Sequence, residues 1–171
     1  DVYKIQNIHR AVHDLAEKST ELFESTRDKI AEFLNIQNRE EIVFVRGTTE
    51  AINLVAYAWG RDNVQKGDIV VTTEYEHHSN IVPWQLLTQE TGAELKYINI
   101  DENGELILEQ LDEYLATGKV KLVAISHVSN VLGTITDVHS VIKKCKNIGV
   151  KVLVDGAQAV PHMKVDIDSL D

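Results

Sequence analysis

Residues 151–158 read Lys151-Val152-Leu153-Val154-Asp155-Gly156-Ala157-Gln158. An unbroken run of strand-forming apolar residues ends in a carboxylate, a glycine, a small residue and an amide. A short run of this kind, bounded by turn residues, reads as a strand buried on both faces. Such strands belong to parallel sheets, which take ligands just beyond the carboxyl ends of their strands. Asp155 is therefore expected to project into a site, with Gly156 leaving room for a ligand to approach the backbone.

The rest of the chain fits that reading. Strand-like runs occur at Ile42-Val43-Phe44-Val45, Ile69-Val70-Val71, Leu95-Lys96-Tyr97-Ile98, Val120 to Ile125 and Val150 to Val154. Helical segments are predicted between them, near 50–59, 80–91, 106–116 and 137–148. The last starts after Asp137 and stops before Gly149, an acid start and a glycine stop. Upstream, Ile8, Val12, Leu15, Leu22, Phe23, Ile30, Phe33 and Leu34 recur at helical spacing and predict one or two amphipathic helices over 5–34. Strands alternating with helices of this length indicate βαβ units, so the expected fold is a three-layer α/β/α domain around a mostly parallel sheet.

Composition narrows the function. The 171 residues are 43% hydrophobic with two prolines, a globular rather than a disordered balance. Seventeen basic against twenty-seven acidic residues give a net charge of −10 without a basic cluster, so neither nucleic acid nor an anionic membrane is an expected partner. One cysteine excludes a disulfide framework and a four-thiolate zinc site, and suits a reducing compartment. No apolar run is long enough to span a bilayer and no secretory signal precedes the domain. The chain opens without methionine on Asp1-Val2-Tyr3 and closes on Asp168-Ser169-Leu170-Asp171, neither of which looks like a designed terminus, so a fragment is expected.

Four of the five strand-like runs lead directly into polar clusters: Arg46 to Glu50, Thr72 to Asn80, Ser126 to Asn130, and Asp155 to Gln158. In a parallel sheet all four converge on one edge. The first cluster is either an ordinary helix cap or an anion cradle, in which threonine hydroxyls, free N–H groups and about half a positive charge from the helix dipole favour a phosphate. It is neither a P-loop nor a dinucleotide fingerprint. The second offers Glu74, Glu76, His77 and His78 as metal donors, but adjacent side chains diverge and the His-Glu-x-x-His arrangement is missing. His9 and His13 have four-residue spacing, with Arg10 where a catalytic glutamate would stand. No metal site is assigned. An imidazole at a strand end suits stacking on an aromatic ligand or proton transfer, while His78 and His127 are expected to be partly buried structural histidines. Cys145 shares an apolar helix face with Val138, Val141 and Ile142 and reads as a small core hydrophobe.

Four stretches stand in order: Arg46-Gly47-Thr48-Thr49-Glu50-Ala51-Ile52-Asn53-Leu54-Val55, Glu76-His77-His78-Ser79-Asn80-Ile81-Val82-Pro83-Trp84, His127-Val128-Ser129-Asn130-Val131-Leu132-Gly133, and Val154-Asp155-Gly156-Ala157-Gln158-Ala159-Val160. Together they closely resemble the SufS-type (group II) cysteine desulfurases, within the class V aminotransferase-like, fold-type I pyridoxal-phosphate enzymes. The resemblance implies the following roles. Thr48 and Thr49 cradle the phosphate of pyridoxal 5'-phosphate. His77 stacks over its ring and helps move protons. Asn130 and Gln158 hydrogen-bond around its phenolic oxygen, and Asp155 pairs with the pyridine nitrogen. A carboxylate in a low-dielectric site keeps that nitrogen protonated and lets the ring accept electrons. The implied reaction converts L-cysteine to L-alanine and leaves sulfur as an enzyme-bound persulfide for iron-sulfur cluster assembly. A cytoplasmic homodimer and a sulfur-acceptor protein are the implied setting. His9 and Arg10 resemble a family segment near the active-site mouth.

The family's Schiff-base lysine lies in a Ser-Gly-His-Lys segment that does not occur here. Lys164 is the only lysine after Asp155, and its setting, His162-Met163-Lys164-Val165, does not match. The family's catalytic loop cysteine, its carboxylate-binding arginine and its N-terminal strand have no counterpart either. Residues 1–171 are therefore expected to be part of one cofactor-binding large domain, truncated at both ends and without the small C-terminal domain, and inactive alone. A non-catalytic ligand-binding or dimerisation module of the same fold, a selenocysteine lyase or aminotransferase, and a metal-dependent hydrolase built on the histidines are the alternatives.

Overall fold

The computed structural model describes residues 14–170. They form two compact units, one of residues 14–44 with 165–169, the other of residues 45–164 with Leu170.

In the first unit, helix α1 (Asp14–Leu34) is continuous over the described part of the span 5–34 where one or two helices were expected; Ile8 and Val12 lie outside the described residues. Asn38 caps a 3-10 turn (Arg39–Glu41) by accepting the N–H of Glu40. Arg39 forks to Asp28 and Glu24, at 2.6 Å each. Phe23 and Phe44 meet edge to face at 5.0 Å, with the Arg27 guanidinium over both rings.

The second unit is built on a four-stranded sheet: β1 (Ile69–Thr73), β2 (Glu94–Ile98), β3 (Val120–Ser126) and β4 (Lys151–Asp155). Every pairing is parallel and the order is β2-β1-β3-β4. Helix α2 (Thr48–Val55) runs through a π turn (Ala56–Gly60) into a last turn at Arg61–Asn63. Helices α3 (Val82–Thr91), α4 (Leu108–Ala116) and α5 (Val138–Lys146) form the crossovers. Asp137 caps α5 as its sequence predicts, accepting the Ser140 N–H at 3.1 Å.

Strand alternation divides the core between two faces. Val71, Val123 and Ile125 pack with Leu111 of α4 and with Val138, Val141 and Cys145 of α5. Val70, Leu122 and Ala124 turn the other way, onto Ile52, Trp84 and Leu87 of α2 and α3. Helices therefore cover both faces, and each fully buried aliphatic side chain contributes about 1.5–3 kcal/mol. The three-layer α/β/α fold with a parallel sheet is the one expected.

One expected strand is missing. Residues 42–45 carry no regular secondary structure, and Val43 is 66% exposed. A β-branched run becomes a strand only where a neighbour takes up its backbone groups.

Cys145 is fully buried in the α5 face of the core, and burial pushes its thiol up to about 11. The thiolate is the reactive form, so a disulfide reagent at neutral pH should label the native chain about a hundredfold more slowly than the urea-unfolded chain. Equal rates would show that the α5 face is open.

Candidate functional site

The sheet topology creates the site. β1 hands the chain to α3 on one face and β3 hands it to α5 on the other, yet β1 and β3 are neighbours. Connections that leave adjacent parallel strands in opposite directions open a crevice at their carboxyl ends. A cleft of about 810 Å³ lies there.

Thr48, Thr49, His77, Asn130, Asp155 and Gln158 all line it, with Arg46, Asn53, Ser79 and Ser126. The first polar cluster reaches the cleft on a loop, not on the strand predicted at 42–45. Gly47 begins α2 at φ 156° and ψ 177°, a combination that a side chain makes costly. It caps the helix without a side-chain bond, which leaves the first-turn N–H groups of Thr48 and Thr49 beside the cleft. The Arg46 N–H donates to Glu50 at 2.6 Å, and the Arg46 guanidinium pairs with the same carboxylate at 3.0 Å, holding it below the usual carboxylate range.

Asp155 ends β4, 7% exposed, in register with Ser126 of β3. Its Oδ1 accepts the N–H of Ala157 at 2.9 Å. A Cβ at Gly156 would lie 3.3 Å from the Val160 side chain, tight enough that Val160 would have to shift by a few tenths of an ångström.

His77 closes the loop that follows β1, just before the 3-10 turn His78–Asn80. Its Nδ1 accepts the Ser79 N–H at 3.2 Å and lies 2.8 Å from Ser79 Oγ, capping the 3-10 turn His78–Asn80. With Nδ1 accepting, the neutral ring carries its proton on Nε2. Beneath it sits the feature that the sequence did not disclose. Glu76, 7% exposed, accepts four hydrogen bonds. Thr73 Oγ1 and the Ser126 N–H donate to Oε1 at 2.6 and 2.9 Å; Asn80 Nδ2, at 2.7 Å, and Ser126 Oγ donate to Oε2. Burial pushes this carboxyl above its ordinary range while the four donors oppose that shift. Alongside, Thr136 Oγ1 donates to the Ser126 carbonyl at 2.8 Å and so receives the Tyr75 hydroxyl proton.

The metal reading finds no such geometry. The rings of His77 and His78 stand 6.2 Å apart at 88°, and Glu76 is committed to its donors. Among the described residues no three His, Cys, Asp or Glu side chains come together as cation donors. His9, Arg10 and His13 lie outside the described residues. His127 is buried, which lowers its pKa, whereas His78 is exposed and not the partly buried histidine expected. No helix among the described residues is long and apolar enough to cross a membrane.

Comparison with known proteins converges on one group. Cysteine desulfurases of Synechococcus elongatus and of an Enterobacter species are each 51% identical over 96% of this chain, which spans 26% and 40% of their respective lengths. The solved apo structure of cysteine desulfurase from Thermococcus onnurineus superposes with a TM-score of 0.89 at 39% identity, covering 98% of this chain and 42% of that one. A cysteine desulfurase from Escherichia coli superposes with a TM-score of 0.86 at 34% identity, covering 99% of this chain and 43% of that one. The chain thus spans less than half the length of these relatives. The aminotransferase class-V family model matches residues 3–171, and the chain belongs to that family.

Proposed function

We propose that residues 1–171 form part of the cofactor-binding large domain of a group II, pyridoxal-phosphate-dependent cysteine desulfurase. One observation carries the reading: a helix-start anion cradle, an imidazole and a buried carboxylate line one cleft at the topological switch point. The donor set fits the cofactor's three chemical ends. Threonine hydroxyls and helix N–H groups match a phosphate, the His77 ring offers a flat face, and Asp155 offers a buried anion for a ring nitrogen.

When bound, the cofactor supplies an electron sink for the bond-breaking step at the substrate's Cα. Thr48 and Thr49 bind its phosphate. Asp155 holds a proton on the pyridine nitrogen, and Asn130 and Gln158 hold its phenolic oxygen. His77 covers the ring and moves protons through Nε2, since Nδ1 is committed to Ser79. L-Cysteine is the substrate and L-alanine the product. The whole protein works as a cytoplasmic homodimer that passes sulfur to an acceptor protein for iron-sulfur cluster assembly. Cys145, with its thiol raised to about 11 inside the core, is not the sulfur-accepting nucleophile.

Full-length protein loaded with pyridoxal phosphate should convert L-cysteine to L-alanine with protein-bound persulfide sulfur. Residues 1–171 alone should produce alanine no faster than free cofactor does. A full-length protein without turnover refutes the assignment. Turnover by the isolated chain well above the free-cofactor rate refutes the division of labour between this segment and the rest of the protein.

A further inference from the structure

The hydrogen bonds around Glu76 have a definite direction. The Trp84 indole N–H donates to Asn80 Oδ1 at 3.0 Å, and an indole nitrogen can only donate. That fixes the Asn80 amide, whose Nδ2 must then face Glu76 Oε2. On the other side the Ser126 backbone N–H, also an obligate donor, faces Oε1. Each oxygen of Glu76 therefore meets one donor that cannot reverse, and only an all-acceptor side chain satisfies both. Asn80 in turn donates its backbone N–H to the His77 carbonyl at 2.7 Å, and its carbonyl receives Thr72 Oγ1 at 3.3 Å.

We propose that Glu76 is a positioning residue: its carboxylate, acting through Asn80, locks the turn that presents His77 to the cleft and ties that turn to the ends of β1 and β3. The cofactor-facing part of this role rests on the function proposed above; the placement of His77 does not.

The direction of the bonds supplies the test. In Glu76→Gln the new amide can present its oxygen to one obligate donor and must present its NH2 to the other. Exchanging the two groups, Glu76→Gln with Asn80→Asp, satisfies every partner again. The carboxylate now at position 80 accepts from Trp84 and from the amide now at position 76. The oxygen of that amide accepts from Ser126 and Thr73, and Ser126 Oγ turns to accept from its NH2. The full-length protein, labelled with 15N-histidine, would be followed by the His77 imidazole shift, by visible circular dichroism of bound pyridoxal phosphate and by cysteine kinetics. For E76Q the Nδ1-acceptor signature of His77 should be lost and kcat should fall about tenfold or more, with KM for cysteine within about twofold. The exchanged pair should recover the signature and bring kcat within about threefold of the parent. The proposal is overturned if E76Q keeps the parent His77 signal and kcat, or if the exchanged pair remains as impaired as E76Q. A parent protein with no cofactor band would overturn the pyridoxal reading by itself, and the His77 signal would still decide the positioning role.

Discussion

Replacing Asp155 with alanine in the full-length protein is expected to lower cysteine turnover about 10²–10³-fold, the usual consequence of leaving one member of a buried charged pair alone. The informative variant is Asp155→Asn. Asp155 has two tasks: Oδ1 receives the Ala157 N–H, which shapes the turn after β4, and the carboxylate charge faces the cleft. Asparagine keeps the first task, because its Oδ1 still accepts from Ala157. Its NH2 then faces the ring nitrogen as a donor, and a donor holds that nitrogen unprotonated. D155N should therefore match D155A in lost turnover while unfolding near the parent's midpoint; D155A should lose some stability as well. Parent-like turnover in D155N would show that the charge is unnecessary and would remove the main physical argument for the cofactor's orientation.

The reason Asp155 stood out in the sequence is also the reason much of the fold did. Val152 and Val154 pack toward one half of the core and Leu153 toward the other, so their apolar run needs no alternation. A run of that length before a carboxylate reads as a strand end. Similar runs locate β1 and most of β3, while β2, an edge strand interrupted by Lys96, is carried by its β-forming Leu95, Tyr97 and Ile98. The crossover helices follow from the spacing between these strands. The pattern fails at Val43 and Phe44, which have the composition of a strand but pair with no strand of their own unit among the described residues. β1 also continues through Thr72 and Thr73, two fully buried residues whose hydroxyls are used by Asn80 and Glu76. Polar residues inside a strand weaken the apolar signal on which its length was judged.

The cleft was legible for a related reason: polar clusters stand out when they follow apolar strands. Glu76 was visible in one of those clusters, but only as a donor among neighbouring histidines. Its partner Ser126 lies fifty residues away, across a strand pair whose adjacency follows from the order β2-β1-β3-β4. Nothing local in the sequence states that order. The burial that turns Glu76 from a surface acid into a clamp is a property of the assembled sheet.

Trp84 gives the largest expected stability effect, because it is both the largest fully buried side chain and the group that orients Asn80. Trp84→Ala should cost about 3–5 kcal/mol for the lost packing, with about 1–3 kcal/mol more for the orphaned Asn80 oxygen. Trp84→Phe separates the two terms: it keeps most of the volume and removes only the donor. Freed from the indole, the Asn80 amide can turn over and offer Oδ1 to position 76. Glutamate at 76 then gains nothing from the change, whereas glutamine gains the acceptor that it lacked. E76Q should therefore cost less in the W84F background than in the parent, with a coupling energy of about 1 kcal/mol or more in urea unfolding. Additive costs would mean that Trp84 does not orient Asn80, leaving Glu76 buried for packing alone.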